Sequence, residues 1–473
     1  MVGVSRRQRL AAVAFAVIAI VGAHAPAMAN SHAASGRADT LNGALVQAYQ
    51  NNPQLNAERA RLRATDETVP QALSGYRPQV SATADVGVQF IETRTSGPLG
   101  GVLGGTSVPH GVGVTATQTI FNGLRTGNRT RAAESQVFGG REGLRVIEQQ
   151  VLLDAATAYM NVLRDTAILD LQRRNVEVLE EQLRQTRDRF NVGEVTRTDV
   201  AQAESRLAAA RSQALQAESN LVTSRAQFRR VIGVDPGKLA AGAPVDRLSP
   251  STLAGSIAAG AIENPNNTSA MYGVDVQLLQ VKIAEGALYP TIVVQANAQQ
   301  RWNTSPTTVS TFTASAFGQI AIPIYQGGGE YSLIRQSKET LAQQRLNLEL
   351  TRDQVRSLVV QFWGQLVAAK AQIQAAQAQV TAAEIALNGV REEARVGQRT
   401  TLDVLNAQQE LVNARVALVT AQRDRVVASY SLLQSVGRLS VQILGLPVPV
   451  YDPVIHYHQI RDAWIGVRTP DGR

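Results

Sequence analysis

The sequence contains no cysteine in its 473 residues. This absence excludes a disulfide scaffold, a metal site with cysteine ligands, a thiol nucleophile and a lipid attached at an N-terminal cysteine. Aromatic residues are also scarce, at 5% of the chain, although they contribute the largest buried areas in compact cores. The shortage argues against several globular domains and favours long helices joined along narrow seams.

The chain also lacks a block of charge of one sign. Lys and Arg number 46 against 38 Asp and Glu, a net charge of +8, and the arginines are dispersed. We therefore expect no nucleic-acid partner. The five histidines form no metal-ligand motif and no nucleophile is spaced with a base, so the sequence predicts no catalytic site, metal, cofactor or enzymatic activity.

Residues 1–29 have the layout of a secretory signal peptide. Three arginines precede an apolar run of about 14 residues, shorter than the roughly 20 needed to cross a bilayer. Ala27-Met28-Ala29 then supplies a cleavage site before Asn30. No later stretch is long and apolar enough for a transmembrane helix, so we expect an exported protein without helical membrane spans.

The remainder of the chain is a tandem repeat. Asn52-Pro53 recurs as Asn264-Pro265, and Val192-Gly193 recurs as Val396-Gly397, each about 200 residues later. The spacings differ slightly because the first copy contains an extra glycine-rich loop at 97–105. We predict a first structural repeat over 30–250, a second over 251–437 and a C-terminal tail over 438–473.

Each repeat predicts two strands and two long helices. In the first repeat the strands are expected at about 79–90 and 111–121, and the helices at about 124–192 and 199–232. In the second repeat the strands are expected at about 291–299 and 311–322, and the helices at about 328–396 and 403–436.

The helices follow from heptads, and the strands from alternation of polar and apolar residues. No proline occurs from Leu124 to Val192, and apolar residues recur there at every seventh position, which indicates coiled-coil packing. Such a helix is about 100 Å long. The strand segments fit either membrane-crossing strands or a half-buried soluble hairpin, and the export signal favours the membrane. Four strands cannot close a barrel in lipid, so several chains would have to share one.

This layout resembles the TolC family of outer-membrane channel-tunnels. The matching motifs are Asn52-Pro53, Gly75-Tyr76-Arg77-Pro78-Gln79, Ile120-Phe121-Asn122-Gly123, Val192-Gly193 with Thr198-Asp199-Val200, and Val396-Gly397-Gln398-Arg399-Thr400-Thr401-Leu402-Asp403-Val404. The resemblance implies a mainly α protein with membrane β-strands, whose two repeats each hold a strand pair and a long coiled-coil helical hairpin. It implies a homotrimer with a twelve-stranded β-barrel in the outer membrane and an α-helical barrel in the periplasm.

The resemblance also implies partners and cargo. The trimer would dock a periplasmic adaptor and an inner-membrane transporter, either ABC-type or proton-driven. The closing segment, Leu446 to Pro453 with Arg461-Asp462-Ala463-Trp464, looks like members that serve type I protein secretion. Protein cargo and small-molecule cargo both remain open.

A periplasmic gate is implied at the hairpin turns. Gly193 and Gly397 suit the left-handed residue that ends a helix, and these turns would dock the adaptor. Arg399 matches the family's closing arginine, while Thr198 and Asp199 match its partners on the neighbouring hairpin, and Asp403 matches an acidic residue of the constriction. The sequence departs from TolC where Ala394 replaces a tyrosine and Asn406 replaces a second acid, which implies a weaker lock and less cation preference.

Three alternatives stay open at this point. Thr196-x-x-Asp199 and Thr400-x-x-Asp403 also read as capping boxes, so the two aspartates would serve helix starts instead of a gate, or both. The whole chain could be a structural or adhesive periplasmic coiled-coil protein, which explains the heptads but not the strands. It could also be the periplasmic adaptor itself, although one hairpin, rather than two, is expected there.

Overall fold

The computed structural model describes residues 39–97, 100–305, 307–470 and 472. The predicted signal peptide, 1–29, lies outside the described residues. Within them, no helix combines the length and the apolar character that crossing a membrane requires.

The first repeat contains five helices and four strands in the described ranges. They are α1 (Leu41–Asn51), α2 (Pro53–Asp66), α3 (Thr68–Leu73), β1 (Gln79–Val86), β2 (Gln89–Arg94), β3 (Val102–Ser107), β4 (His110–Asn122), α4 (Arg125–Asn191) and α5 (Arg197–Ile232).

The second repeat has a similar order but, among its described residues, no strands that correspond to β2 and β3. A short helix follows it. These elements are α6 (Leu253–Glu263), α7 (Pro265–Glu285), β5 (Thr291–Ser305), β6 (Thr308–Ala321), α8 (Gly329–Arg395), α9 (Thr401–Val436) and α10 (Pro453–Ile460). The long helices begin and end within about two residues of the predicted bounds.

The repeated Asn-Pro motif fixes the second short helix of each repeat in two ways. Asn52 caps α2, because its Oδ1 accepts the backbone N–H of Gln54 at 2.9 Å, and Pro53 occupies the first helical position. The Asn52 Nδ2 donates to the carbonyl of Val231 at 2.9 Å, at the end of α5. Asn264 repeats this arrangement and donates to the carbonyl of Ser435 at 2.8 Å. The motif therefore joins each short helix to its own return helix.

The main sheet is antiparallel, in the order β1-β4-β5-β6, with Gln79 opposite Thr117 and Thr291 opposite Ala321. Small and apolar side chains alternate with polar ones along most of these strands, and the alternation breaks near Gln118 and Phe317. Ala298 on β5 lies opposite Ala314 on β6, both on the apolar face.

The predicted strand at 79–90 is two strands in the structure. The Gly87 N–H donates to the carbonyl of Pro109 at 2.9 Å, but proline has no N–H to return the bond, so the pairing of β1 with β4 ends there. The chain continues as β2, which pairs with β3 in a separate antiparallel ribbon. The glycine-rich segment expected as a loop thus supplies part of a strand pair.

Two long helical hairpins carry most of the chain. We call α4 with α5 the first hairpin, and α8 with α9 the second hairpin. Each is closed by an apolar cluster, which contains Leu179, Leu183 and Leu207 in the first and Val380, Leu387 and Leu411 in the second. Leu405 of the second hairpin also packs in the first cluster. At 67 residues, α4 and α8 are each about 100 Å long.

The largest core lies where the short helices pack against the middle of the first hairpin. It buries Leu45, Leu55, Leu152, Tyr159 and Phe228, and residues of the tail such as Leu439 join it. The Tyr159 hydroxyl shares its one proton between the backbone carbonyls of Ala240, at 2.6 Å, and Asp39, at 2.9 Å, which joins the start of α1 to the connection between the repeats. Burial raises the pKa of this tyrosine to about 12.

Candidate functional site at the hairpin tips

Each long helix ends in the same glycine turn. Gly193 and Gly397 have φ values of 80° and 78°, a left-handed conformation that glycine adopts without strain. In the first turn, the Glu194 N–H donates to the Arg189 carbonyl at 2.9 Å, and the Gly193 N–H donates to the Phe190 carbonyl at 3.0 Å. This is the Schellman pattern, which satisfies the last carbonyls of the helix.

The second turn repeats the pattern. The Gln398 N–H donates to the Glu393 carbonyl at 2.9 Å, and the Gly397 N–H donates to the Ala394 carbonyl at 3.2 Å. Both helices therefore reverse within a few residues, and the two tips have matching backbone geometry.

Asp199 and Asp403 both take part in capping boxes. Thr196 and Thr400 are the capping residues, and each aspartate lies three positions later. Asp199 Oδ2 accepts the Thr196 N–H at 2.9 Å, and Asp403 Oδ2 accepts the Thr400 N–H at 3.0 Å. The hydrogen bonds from Thr400 hold the pKa of the Asp403 carboxyl below its usual value of 3.8. The structural role anticipated for these two aspartates is thus present.

Arg399 makes its ion pair across its own turn. Its Nε donates to Glu393 Oε2 at 2.9 Å, and this bond raises the pKa of the arginine. The first turn is also crossed by an ion pair, with the charges exchanged, between Arg189 Nε and Glu194 Oε2 at 3.0 Å. Arg189 corresponds to Glu393, whereas Glu194 lies one residue before the position that corresponds to Arg399. Within one chain, Arg399 therefore contacts Glu393 rather than Asp199.

The two tips face a common groove of about 810 Å³. Asp199 and Thr196 line it from the first hairpin, and Arg399 and Ala394 line it from the second. Thr198 lies in the first turn of α5, where it is exposed. The small Ala394 leaves part of the groove open where the family pattern has a tyrosine. The structure thus brings Asp199 and Arg399 to one groove without pairing them.

Hydrogen bonds between polar side chains join the two hairpins, and they were not predicted from the sequence. Arg206 on α5 donates from Nη2 to Asn406 Oδ1 on α9 at 2.7 Å. Farther from the tip, Gln408 Nε2 donates to Asn175 Oδ1 at 3.4 Å, and Arg423 Nε donates to Asn161 Oδ1 at 2.9 Å. These partners lie on different hairpins, 200 or more residues apart in the chain, so no local pattern reveals them.

The Glu393 partner of Arg399 was also missed, but a signal for it exists. Glu393 is two positions before the last residue of α8, and the Schellman turn brings its side chain back toward the residues that follow. The first repeat has an ion pair with exchanged charges across its own turn, shifted by one residue at one end, which points to the same kind of contact.

Known proteins share this architecture of two repeats. The family model described as "Outer membrane efflux protein" matches residues 44–234 and 262–438, which are the two repeats. The chain belongs to the outer membrane efflux protein family. The resemblance to TolC-type channel-tunnels is thereby confirmed, and so is the predicted helix-rich fold of two repeats, each with a strand pair and a long helical hairpin.

Three similar proteins illustrate the range of the family. The outer membrane efflux protein BepC of Brucella suis biovar 1 (strain 1330) is 41% identical over 439 residues, 92% of this chain and 93% of BepC. TolC of Escherichia coli (strain K12) is 27% identical over 431 residues, 87% of this chain and 85% of TolC. The crystal structure of the Campylobacter jejuni CmeC outer membrane channel has a TM-score of 0.75 at 17% identity, and covers 89% of each chain.

These matches establish the general role. The chain is an outer-membrane efflux channel with its tunnel in the periplasm. The family consists of channel proteins, so the expectation that the chain is not an enzyme is confirmed. The interpretations as an adhesive coiled-coil protein and as a periplasmic adaptor are not retained.

Proposed function

We propose that three copies of the chain form one gated export duct. Each chain supplies a four-stranded sheet in which β1 and β6 lie at the edges. Unpaired strand edges are not tolerated in lipid, so these edges pair with those of neighbouring copies. Three copies supply twelve strands, more than the roughly eight of the smallest membrane barrels. The long hairpins then continue the barrel as a helical tunnel.

The gate that we propose is a ring of polar contacts at the tips. The capping bonds of Asp199 use Oδ2, so its Oδ1 can accept a hydrogen bond from Arg399 of a neighbouring hairpin. Thr198, exposed beside it, offers a hydroxyl to the same arginine. In the closed duct Arg399 would contact Asp199 and Thr198, and in the open duct it would keep only Glu393. Asp403 would line the constriction while it caps α9.

The observation that supports this gate is the groove shared by the two tips. It places an arginine and a carboxylate of different hairpins on facing walls. Exposed ion pairs are individually weak, so such a ring can hold the tips together yet yield to a docked protein. The rigid turns at Gly193 and Gly397 present the surface on which a periplasmic adaptor would dock, with an inner-membrane transporter supplying the energy.

Conductance of single channels tests the gate. The purified protein in a planar bilayer is expected to give stable small steps, and Arg399→Ser is expected to give larger ones. Arg352→Ser is the matched control, because Arg352 makes a similar exposed pair with Glu349, at 2.7 Å, in the middle of α8. Equal steps in all three proteins would show that Arg399 does not close the duct.

The cargo that we propose includes both small toxic compounds and a protein secreted by the type I route. Deletion of the chain in its host should raise the accumulation of a fluorescent dye, and should remove at least one protein from the culture medium. The wild-type chain should reverse both the dye accumulation and the loss of the secreted protein. Reversal of only one effect would assign the duct to that class of cargo and reject the other class.

A further inference from the structure

The tail after α9 packs along the short helices of the first repeat. The Tyr451 N–H donates to the Tyr49 hydroxyl at 3.0 Å, and the Arg59 guanidinium lies over both rings, 4.5 and 5.2 Å from their centroids. Farther on, His456 Nδ1 lies 3.0 Å from Asp66 Oδ2, and both side chains are buried. The tail is thus held at two successive points along α1 and α2.

The same tail then reaches the junction between helices and strands. Tyr457 packs on the cluster that contains Val69 and Val137. Arg77 Nη1 donates to the carbonyl of Ala463 at 2.6 Å, and its guanidinium lies 4.6 Å from the centroid of the Trp464 ring. Arg77 is two residues before Gln79, the first residue of β1, which is about 7 Å along an extended chain. Trp464 is therefore held close to the start of the strands.

Beyond this fixed point, the tail exposes apolar side chains. Trp464 is 67% exposed, Ile465 is 98% exposed and Val467 is fully exposed. Two further exposed aromatic residues lie at the same level, Tyr76 before β1 and Tyr289 before β5. The tail is held in place by several contacts, yet the residues at its end expose apolar side chains. This combination indicates that another apolar surface covers those side chains.

The position identifies that surface as lipid. The helices lie in the periplasm, so the start of β1 is at the periplasmic edge of the membrane, and the apolar strand faces continue directly from it. Tryptophan and tyrosine concentrate at such edges, because an apolar ring with one polar group suits the headgroup level. The guanidinium of Arg77 over the indole is a cation–π pair that keeps its charge toward headgroups and water.

We propose that Trp464, Ile465 and Val467 insert into the periplasmic leaflet of the outer membrane as an anchor that the docked tail holds in place. This inference rests on the proposed function in one respect, since it requires the strands to cross the bilayer. The tail would then anchor the protein in the membrane, a role separate from those of the strands and the hairpins.

Cysteine labelling tests the anchor in the full-length protein. The chain has no cysteine, so each single cysteine carries the only label. Ile465→Cys, labelled with an NBD fluorophore and reconstituted in phospholipid vesicles, is expected to show blue-shifted emission. Spin-labelled lipids should quench it, more strongly with the nitroxide near the headgroup than deep in the acyl chain.

Two matched variants separate the possible failures. Ala314→Cys, on the apolar face of β6, should be quenched if the strands cross the bilayer, and Val192→Cys, exposed at the tip, should not be. Quenching at 314 without quenching at 465 would overturn the anchor and leave the duct intact. No quenching at 314 would contradict the membrane-spanning strands themselves. Blue-shifted emission at 465 without lipid quenching would place the segment against another copy of the chain and also overturn the proposal.

Discussion

The seam inside each hairpin and the seam between the hairpins have different chemistry. Inside, leucine and valine pack at heptad positions, such as Leu183 with Leu207 in the first hairpin. Between the hairpins, Asn175, Gln408 and Arg206 make hydrogen bonds near the tips, beside one buried leucine of α9, Leu405. Farther from the tips, Val426 and Tyr430 of α9 join the largest apolar core. Water can replace a hydrogen bond at little net cost, but it cannot replace apolar burial. The difference indicates that each hairpin stays whole while the two hairpins can part near their tips.

The largest effect is expected inside a hairpin. Leu387→Ala removes a buried side chain from the seam between α8 and α9 and should lower the free energy of unfolding by about 2–5 kcal/mol. Chemical denaturation of the purified protein measures it. Ile385→Ala, at an exposed position two residues earlier, should cost less than half as much. Equal losses would show that the apolar seam is not what holds the hairpin.

A smaller effect is expected where a short helix joins its return helix. Asn52→Ala removes the cap of α2 and leaves the buried Val231 carbonyl without its donor, a loss of about 2 kcal/mol in the free energy of unfolding. Asn264→Ala should cost about the same, because Asn264 makes the equivalent bonds. Thermal unfolding of both variants measures the losses, with Asn56→Ala, at an exposed position, as the control. Unequal losses for Asn52→Ala and Asn264→Ala would contradict an equal role for the two motifs.

The seam between the hairpins should respond differently to single and double changes. Gln408→Ala leaves the buried Asn175 amide without this partner and should cost about 1 kcal/mol. Replacing both, with Asn175→Leu and Gln408→Leu, also removes the acceptor of Arg391 Nη2, at 3.1 Å, and should cost no more than the single change in denaturation. The same double variant should open less often in a bilayer recording. If the double variant were much less stable than the single one, the hydrogen bonds between the hairpins would contribute more to stability than proposed.

The smallest effect concerns the cap of α9. Because the pKa of Asp403 is lowered in the folded chain, its contribution is present above its usual value of 3.8 and is lost as the pH falls through the lower, folded value. Amide exchange in the first turn of α9, corrected for intrinsic rates, should therefore lose protection below about pH 4. Asp403→Asn should not show this dependence. The same acid response in both proteins would remove Asp403 as its source.

Local patterns in the sequence predicted the elements of the fold well. Heptads without proline predicted α4 and α8, and Gly193 and Gly397 marked their ends, because chain reversal there needs a left-handed residue. The ribbon of β2 and β3 was missed, since the glycines of that segment have low strand propensity and its ends depend on Pro109.

The candidate site was only partly predictable. The capping boxes follow from a spacing of three residues, and they appear as expected at Thr196 and Thr400. The Glu393 pair depends on how the turn folds back, and the Arg206–Asn406 bond depends on how two hairpins pack. Neither contact has a short-range signature, because each is set by tertiary structure.

Cross-linking across the two seams tests the central claim most directly. In the otherwise cysteine-free chain, Arg206→Cys with Asn406→Cys spans the two hairpins, and Glu180→Cys with Arg211→Cys spans only the first. A short reducible thiol cross-linker is added to cells, and dye export is measured before and after reduction. If the hairpins must part for transport, the link between them should stop export, reduction should restore it, and the link within a hairpin should have no effect. Export that continues with the two hairpins linked would show that they need not part.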